Sequence, residues 1–167
     1  MSDRPLALSI QNTDTTRYID LSSMKITNCI GCFKCWVKTP GKCCLRDDAT
    51  KVYPIIAQSD KLIYVTRTKY GGYDSIMKKM LERAIPIQQA FIRIHQNETH
   101  HLQRNVLQKE ATIIAYGETS DEEKDIFKRL VERNSKNMNF KSYRIIFTDE
   151  EMLEEVLKEN IQLWGEQ

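Results

Sequence analysis

Five cysteines, at positions 29, 32, 35, 43 and 44, are all the thiols of a 167-residue chain. Cys29, Cys32, Cys35 and Cys43 are separated by two, two and seven residues. In a close C-x-x-C-x-x-C run, successive thiolates turn inward from one tight loop, an arrangement that wraps a [4Fe–4S] cubane. Other uses fit the same residues. Four thiolates hold zinc, although its paired-knuckle spacing is usually different. Redox-active thiols and buried cysteines acting as small apolar packing groups fit as well. Cys44 falls outside the four-ligand pattern, and Phe33 and Trp36 read most simply as packing groups.

A second set of chemical groups lies further on. The three histidines, His95, His100 and His101, all fall between residues 85 and 106. A histidine near a carboxylate transfers protons near neutral pH. Glu98, His100 and His101 are therefore the candidate catalytic groups. Adjacent histidines on an extended segment point to opposite sides, so one of the pair faces any given site. An exposed loop or a subunit contact accounts for the segment equally well.

The elements that must position these groups alternate between strand and helix. Residues 61–66 (Lys-Leu-Ile-Tyr-Val-Thr) and 111–116 are apolar runs of the kind that form buried strands, 143–147 is a last strand, and 6–10 and 17–21 are shorter strand candidates. Only six residues separate the last two, too few for a parallel crossover. Asp48 caps a helix to about Ser59, with Pro54 in its early turns producing a kink or a late start. Residues 75–84 place Ile76, Met77, Met80, Leu81 and Ala84 at helical spacing. Ser120 with Glu123 forms a capping box for a helix through Asn134, and Asp149 caps a closing amphipathic helix. Residues 28–48 and 67–74 read as loops, and 85–106 as irregular.

The alternation predicts one α/β domain over residues 1–167, with a mostly parallel five-stranded sheet and helices on both faces. Ligands of such sheets bind beyond the carboxyl ends of the strands. The loops to watch are then 28–48, 67–74 and 116–120. A net charge of +2, from 25 basic and 23 acidic side chains, lacks the concentrated basic excess expected for nucleic acid. No apolar run approaches the roughly 20 residues that span a bilayer, and the first residues lack a signal-peptide layout. The expectation is a cytoplasmic protein, with its thiols kept reduced.

Three stretches together carry a resemblance. The first is Cys29-Ile-Gly-Cys32-Phe-Lys-Cys35-Trp36 with Pro40-Gly41-Lys-Cys43 and then Asp47-Asp48. The second is Tyr70-Gly71-Gly72-Tyr73, then Ser75, Lys78 and Arg83. The third is Glu98-Thr-His100-His101, with Arg104 beyond. In order and spacing they resemble the flavodoxin-like NAD(P)H-dependent FMN reductase family, which includes iron–sulfur flavoproteins. The resemblance covers residues 26–104. It implies a flavodoxin-like three-layer sandwich and an FMN site, with NAD(P)H as electron donor and a [4Fe–4S] cluster on the four cysteines.

In that family the loop after the third strand lies against the flavin ring. The implied ring contacts here are Thr66, Arg67, Lys69, Tyr70, Gly71, Gly72 and Tyr73, with Gly117 and Glu118 from the next loop. Glycine there permits positive φ and close approach of backbone amides to a planar ring; by itself Gly71-Gly72 is also a plain strand-to-helix turn. The resemblance further implies a small-molecule acceptor or redox protein as partner. It also implies a homodimer, for which Phe91, Ile92 and Ile94 supply apolar side chains.

One departure stands out. The family pattern opens with a strand, a Ser/Thr-rich phosphate loop and a long first helix. Here residues 6–10 are followed only by Gln11-Asn12-Thr13-Asp14-Thr15-Thr16. Two functions follow from the sequence. One is an FMN-dependent oxidoreductase moving electrons from NAD(P)H to an acceptor. The other is a non-enzymatic flavodoxin-like module that has lost FMN and serves as a thiol sensor, a metal-binding protein or a partner subunit.

Overall fold

The structure, a computed structural model, describes residues 12–165. In chain order its elements are α1 (Lys34–Val37), α2 (Ala49–Gln58), β1 (Lys61–Lys69), β2 (Gly72–Tyr73), α3 (Ser75–Glu82), β3 (Gln88–His95), β4 (Glu98–Gln103), β5 (Lys109–Tyr116), α4 (Asp121–Asn137), β6 (Phe140–Thr148) and α5 (Leu153–Gly165). The main sheet has the order β2-β1-β5-β6. β1, β5 and β6 run parallel, with Val65 opposite Ile114 and Ile114 opposite Ile146. β2 is antiparallel to the end of β1. β3 and β4 form a separate hairpin.

Alternation along β5 divides the core. Ala111, Ile113 and Ala115 belong to one cluster with Val52 and Ile56 of α2, Met77 and Met80 of α3, and Phe127 and Val131 of α4. Ile114 belongs to the other, with Leu153 and Leu157 of α5. Both faces of the sheet are thus covered, which gives the α/β sandwich expected from the sequence. Each fully buried large apolar side chain is worth about 1.5–3 kcal/mol in this arrangement. α4 begins with a complete capping box: Ser120 accepts from the Glu123 amide, and the Glu123 carboxylate accepts from the Ser120 amide.

Several expectations change. Residues 17–21 are not a strand. Asn12 Oδ1 accepts the Tyr18 amide at 2.7 Å, and Asp20 Oδ1 accepts the amide and hydroxyl of Ser22. Local side-chain acceptors have replaced ladder pairing there, and a short 3₁₀ turn, Leu21–Ser23, follows. The strand expected at residues 6–10 lies outside the described residues. The described sheet therefore has four strands rather than five. Beyond Arg67 the chain does not become a loop, because β1 continues to Lys69 and doubles back as β2. Residues 85–106, expected to be irregular, hold the β3–β4 hairpin. Pro54 sits inside a continuous α2, and the Asp48 carboxylate bonds the Lys25 amide and Lys51 instead of capping α2. Asp149 does not cap α5, which starts at Leu153. Among the described residues no helix is long and apolar enough to cross a membrane.

Candidate functional site

The segment before α2 gathers the thiols. Cys29, Cys32, Cys35, Cys43 and Cys44 all line one small pocket, completed by Ile30, Phe33, Leu45 and Ile85. Gly31 (φ 63°) and Phe33 (φ 53°) both occupy the left-handed region on either side of Cys32. That conformation is strained for phenylalanine. The turn that results presents Cys32 to solvent, while Cys35 at the start of α1 is buried. Cys32 and Cys44 sulfurs are 3.5 Å apart.

The thiols differ in acidity because their surroundings differ. The backbone amide of Lys34 draws Cys32 below its ordinary value. Burial and the neighbouring charge of Cys43 push Cys35 up. The hydrogen bond with Cys32 raises Cys44.

A buried ion pair braces the pocket. The Arg83 side chain is fully buried at the end of α3, and its Nη1 and Nη2 donate to Asp47 Oδ2 and Oδ1 at 2.6 and 2.8 Å. Nη1 also donates to the Thr27 carbonyl, and Nη2 to Cys43 Sγ at 3.4 Å. One guanidinium thus ties both flanks of the cysteine segment to α3. Burial tends to raise the Asp47 carboxyl, but the hydrogen bonds from Arg83 and Thr27 outweigh it and hold it well below the usual carboxylate range.

The glycine segment lies at the carboxyl end of the sheet. Tyr70 (φ 53°) and Gly71 (φ 69°) form a two-residue turn between β1 and β2, the geometry that suits tight hairpins. Gly71 is needed for packing: a Cβ there would stand 2.8 Å from Ile126 Cγ2 of α4. Tyr73 enters the core edge-on to Phe127, with ring centres 5.1 Å apart. Thr66 is buried. Arg67 donates to Glu150 at 2.6 Å and lies over the Tyr116 ring. Gly117 sits against Arg67, and the Thr68 and Thr119 hydroxyls touch. Of the implied ring contacts, Lys69, Tyr70 and Glu118 are exposed, Tyr70 at 85%.

The structure separates the two histidines. His100 lies between Asn137 Oδ1 and Glu98 Oε2, 3.0 Å from each. Glu98 also accepts from Arg133 and Lys136, and these bonds lower its carboxyl to about 2. This group docks β4 on the far end of α4: Asn137 is eleven residues beyond Ile126, roughly 16 Å along the axis. His101 turns the other way and packs on Trp36, the residue after Cys35, with ring centres 4.5 Å apart. Its Nδ1 is buried with no hydrogen-bond partner. The opposite facing of the pair agrees with the sequence expectation; the wide separation of His100 from the Tyr70 turn was not legible there.

Part of the chain is similar to two archaeal proteins. Over 76 residues, 46% of this chain and 38% of the relative, it is 29% identical to an iron–sulfur flavoprotein of Methanocaldococcus jannaschii. Over 68 residues, 41% of this chain and 30% of the relative, it is 32% identical to an iron–sulfur flavoprotein of Archaeoglobus fulgidus. The chain spans less than two fifths of the length of either relative, and no family model matches it.

The donor sets can be tested against the implied groups. A single tetrahedral zinc with bonds near 2.3 Å needs its sulfurs about 3.8 Å apart. Among the described residues no three His, Cys, Asp or Glu side chains gather to hold one ion. Five thiols lining one apolar-walled pocket are the donor type that a polynuclear cluster would use. On the flavin side the exposed Tyr70 fits a ring. The turn at Asn12–Thr16 does not fit a phosphate. The amides of Thr13, Thr16 and Tyr18 are already donated within it, to Thr16 O, Thr13 Oγ1 and Asn12 Oδ1.

Sequence reasoning missed the place of Cys44 on the pocket wall and the bracing role of Arg83. The adjacency of Cys44 to Cys43 and the pairing of Arg83 with Asp47 across 36 residues left no periodic signal.

Proposed function

We propose that this chain acts as an FMN-dependent oxidoreductase of iron–sulfur flavoprotein type, taking electrons from NAD(P)H and passing them to a small acceptor or a redox protein. The observation that supports it most is the convergence of the cysteine thiols on one pocket. Cys29, Cys32, Cys35 and Cys43 would hold the cluster. When bound, the cluster exchanges electrons singly and the flavin moves them in pairs.

The chain's own residues do the rest. Arg83 offers positive charge beside the Cys43 sulfur, and Ile85 and Leu45 limit water at the thiols. Tyr70 offers a free aromatic face at the carboxyl end of β1, with Lys69 as an adjacent cation. α3 connects the two sites. Its N-cap Asp74 follows the β1–β2 hairpin and its C-cap Arg83 grips the cysteine segment, so about 12 Å of helix separates them. Of the three proton-transfer candidates, His101 packs on Trp36, the residue after Cys35, while Glu98 and His100 would serve to dock the hairpin. The phosphate of FMN would be held by residues other than the Asn12–Thr16 turn.

Phe91, Ile92 and Ile94 project from β3 with 69, 63 and 76% exposure. That surface would meet a second copy of the chain in a homodimer.

The test is anaerobic titration with FMN followed by NADH or NADPH. The expected result is saturable uptake and bleaching of the flavin band on adding nicotinamide. Tyr70→Ala should weaken FMN about fivefold, in line with the roughly 1 kcal/mol of an aromatic stack. Neither uptake nor nicotinamide oxidation would leave the non-enzymatic thiol or metal-binding module as the better account.

A further inference from the structure

We infer that Cys32 and Cys44 form a dithiol–disulfide couple, a redox site that uses the cysteine left over by the four-ligand pattern. Their sulfurs lie 3.5 Å apart across twelve residues of chain. A disulfide needs about 2.05 Å, so bonding requires an approach of only about 1.5 Å. Cys32 is exposed, and the left-handed residues on both sides of it, Gly31 and Phe33, hold it outward in a strained turn. Strain of this kind collects at functional positions. Cys43, next to Cys44, is engaged elsewhere, because its sulfur accepts from Arg83 Nη2. The fold therefore selects Cys44 over its neighbour as the partner of Cys32.

The reaction needs an oxidant, which is a small disulfide RSSR of the glutathione class. The Cys32 thiolate attacks one sulfur; the RS–SR bond breaks and the first RS⁻ leaves and takes up a proton. The Cys44 thiolate then attacks Cys32 Sγ, breaks the mixed disulfide and releases the second RS⁻. Two protein thiols lose two electrons and two protons, and one RSSR becomes two RSH. The couple stands whether or not a cluster binds. It also has a consequence for that reading: oxidation removes Cys32 from the thiolate set, so the disulfide form of the loop is unable to take up a four-cysteine cluster.

The experiment treats metal-free full-length protein with oxidised glutathione without oxygen, then maps disulfides by mass spectrometry. The expected product has lost two of its five free thiols. One link joins tryptic peptides 26–34 and 43–46, and fragmentation of the wild-type peptide places it on Cys32 and Cys44. The link should disappear in Cys32→Ser and in Cys44→Ser and persist in Cys29→Ser and Cys43→Ser. Dithiothreitol should restore all five thiols. In urea the pairing should scramble, which would show that the fold and not thiol reactivity chooses the partner. Five unreacted thiols, a stable glutathione adduct without closure, or a wild-type link mapped to Cys29 or Cys43 would each overturn the inference. These readouts involve no flavin or iron, so they fail or succeed independently of the oxidoreductase proposal.

Discussion

Arg83 is the residue on which the cysteine segment most depends. Its guanidinium holds Asp47, Thr27 and Cys43 together inside the protein. Arg83→Met leaves the Asp47 carboxylate buried without its partner, a loss of roughly 3–5 kcal/mol for a broken buried pair. Urea unfolding should register it as a lowered midpoint with an unchanged slope. Acid provides the complementary check. Despite burial, the bonds from Arg83 and Thr27 depress the Asp47 carboxyl in the folded protein. Its contribution to stability is therefore complete above the ordinary value of about 3.8 and is lost as pH falls through the lower folded value. Asp47→Asn should destabilise the protein at neutral pH and flatten that part of the acid profile. An acid limb identical to wild type would show that the pair does not carry the effect.

At the scale of elements, the β3–β4 hairpin is held to α4 chiefly through Glu98 and His100. Hydrogen bonds from Lys136, Arg133 and His100 lower the Glu98 carboxyl from 4.5 to about 2. The docking contribution is present above pH about 4.5 and disappears as pH falls towards about 2. Trp36 is a natural reporter, since His101 of the same hairpin stacks on it. Its fluorescence should change within that window in the wild type, and Glu98→Gln should abolish the pH dependence while shifting the neutral-pH signal towards the acid form. A transition that survives the substitution would point to another carboxylate.

This hairpin also shows where local sequence stops being informative. Ile92 and Ile94 alternate with Arg93 and His95, but the register shift between Gln88 and Ile92 breaks the run. Its turn uses Gln96 and Asn97 at positive φ without a glycine. The Gly71 turn was visible as a break, yet its reason lay in α4: the space it spares belongs to Ile126. In contrast, the α4 capping box and the apolar runs of β1 and β5 were legible because each rests on near neighbours in sequence.

For the whole molecule, the layered α/β fold followed from those runs. The clustering of thiols followed from their spacing, because a short loop leaves them little room to diverge. The histidine placement did not follow, since it depends on how the hairpin docks. Phe91, Ile92 and Ile94 were equally suited to a core, and only the folded chain shows them exposed. Light scattering should find a dimer, and Phe91→Lys with Ile94→Lys should give a folded monomer; a wild-type monomer at micromolar concentration would remove that interface.

On the proposed function, Cys29, Cys32, Cys35 and Cys43 would hold an iron–sulfur cluster. The most direct test is iron content and absorbance of protein prepared without oxygen. The expected result is about four irons per chain with a broad brown shoulder, and loss of both in Cys35→Ser. Stoichiometric zinc, or no metal in the reduced anaerobic protein, would contradict it.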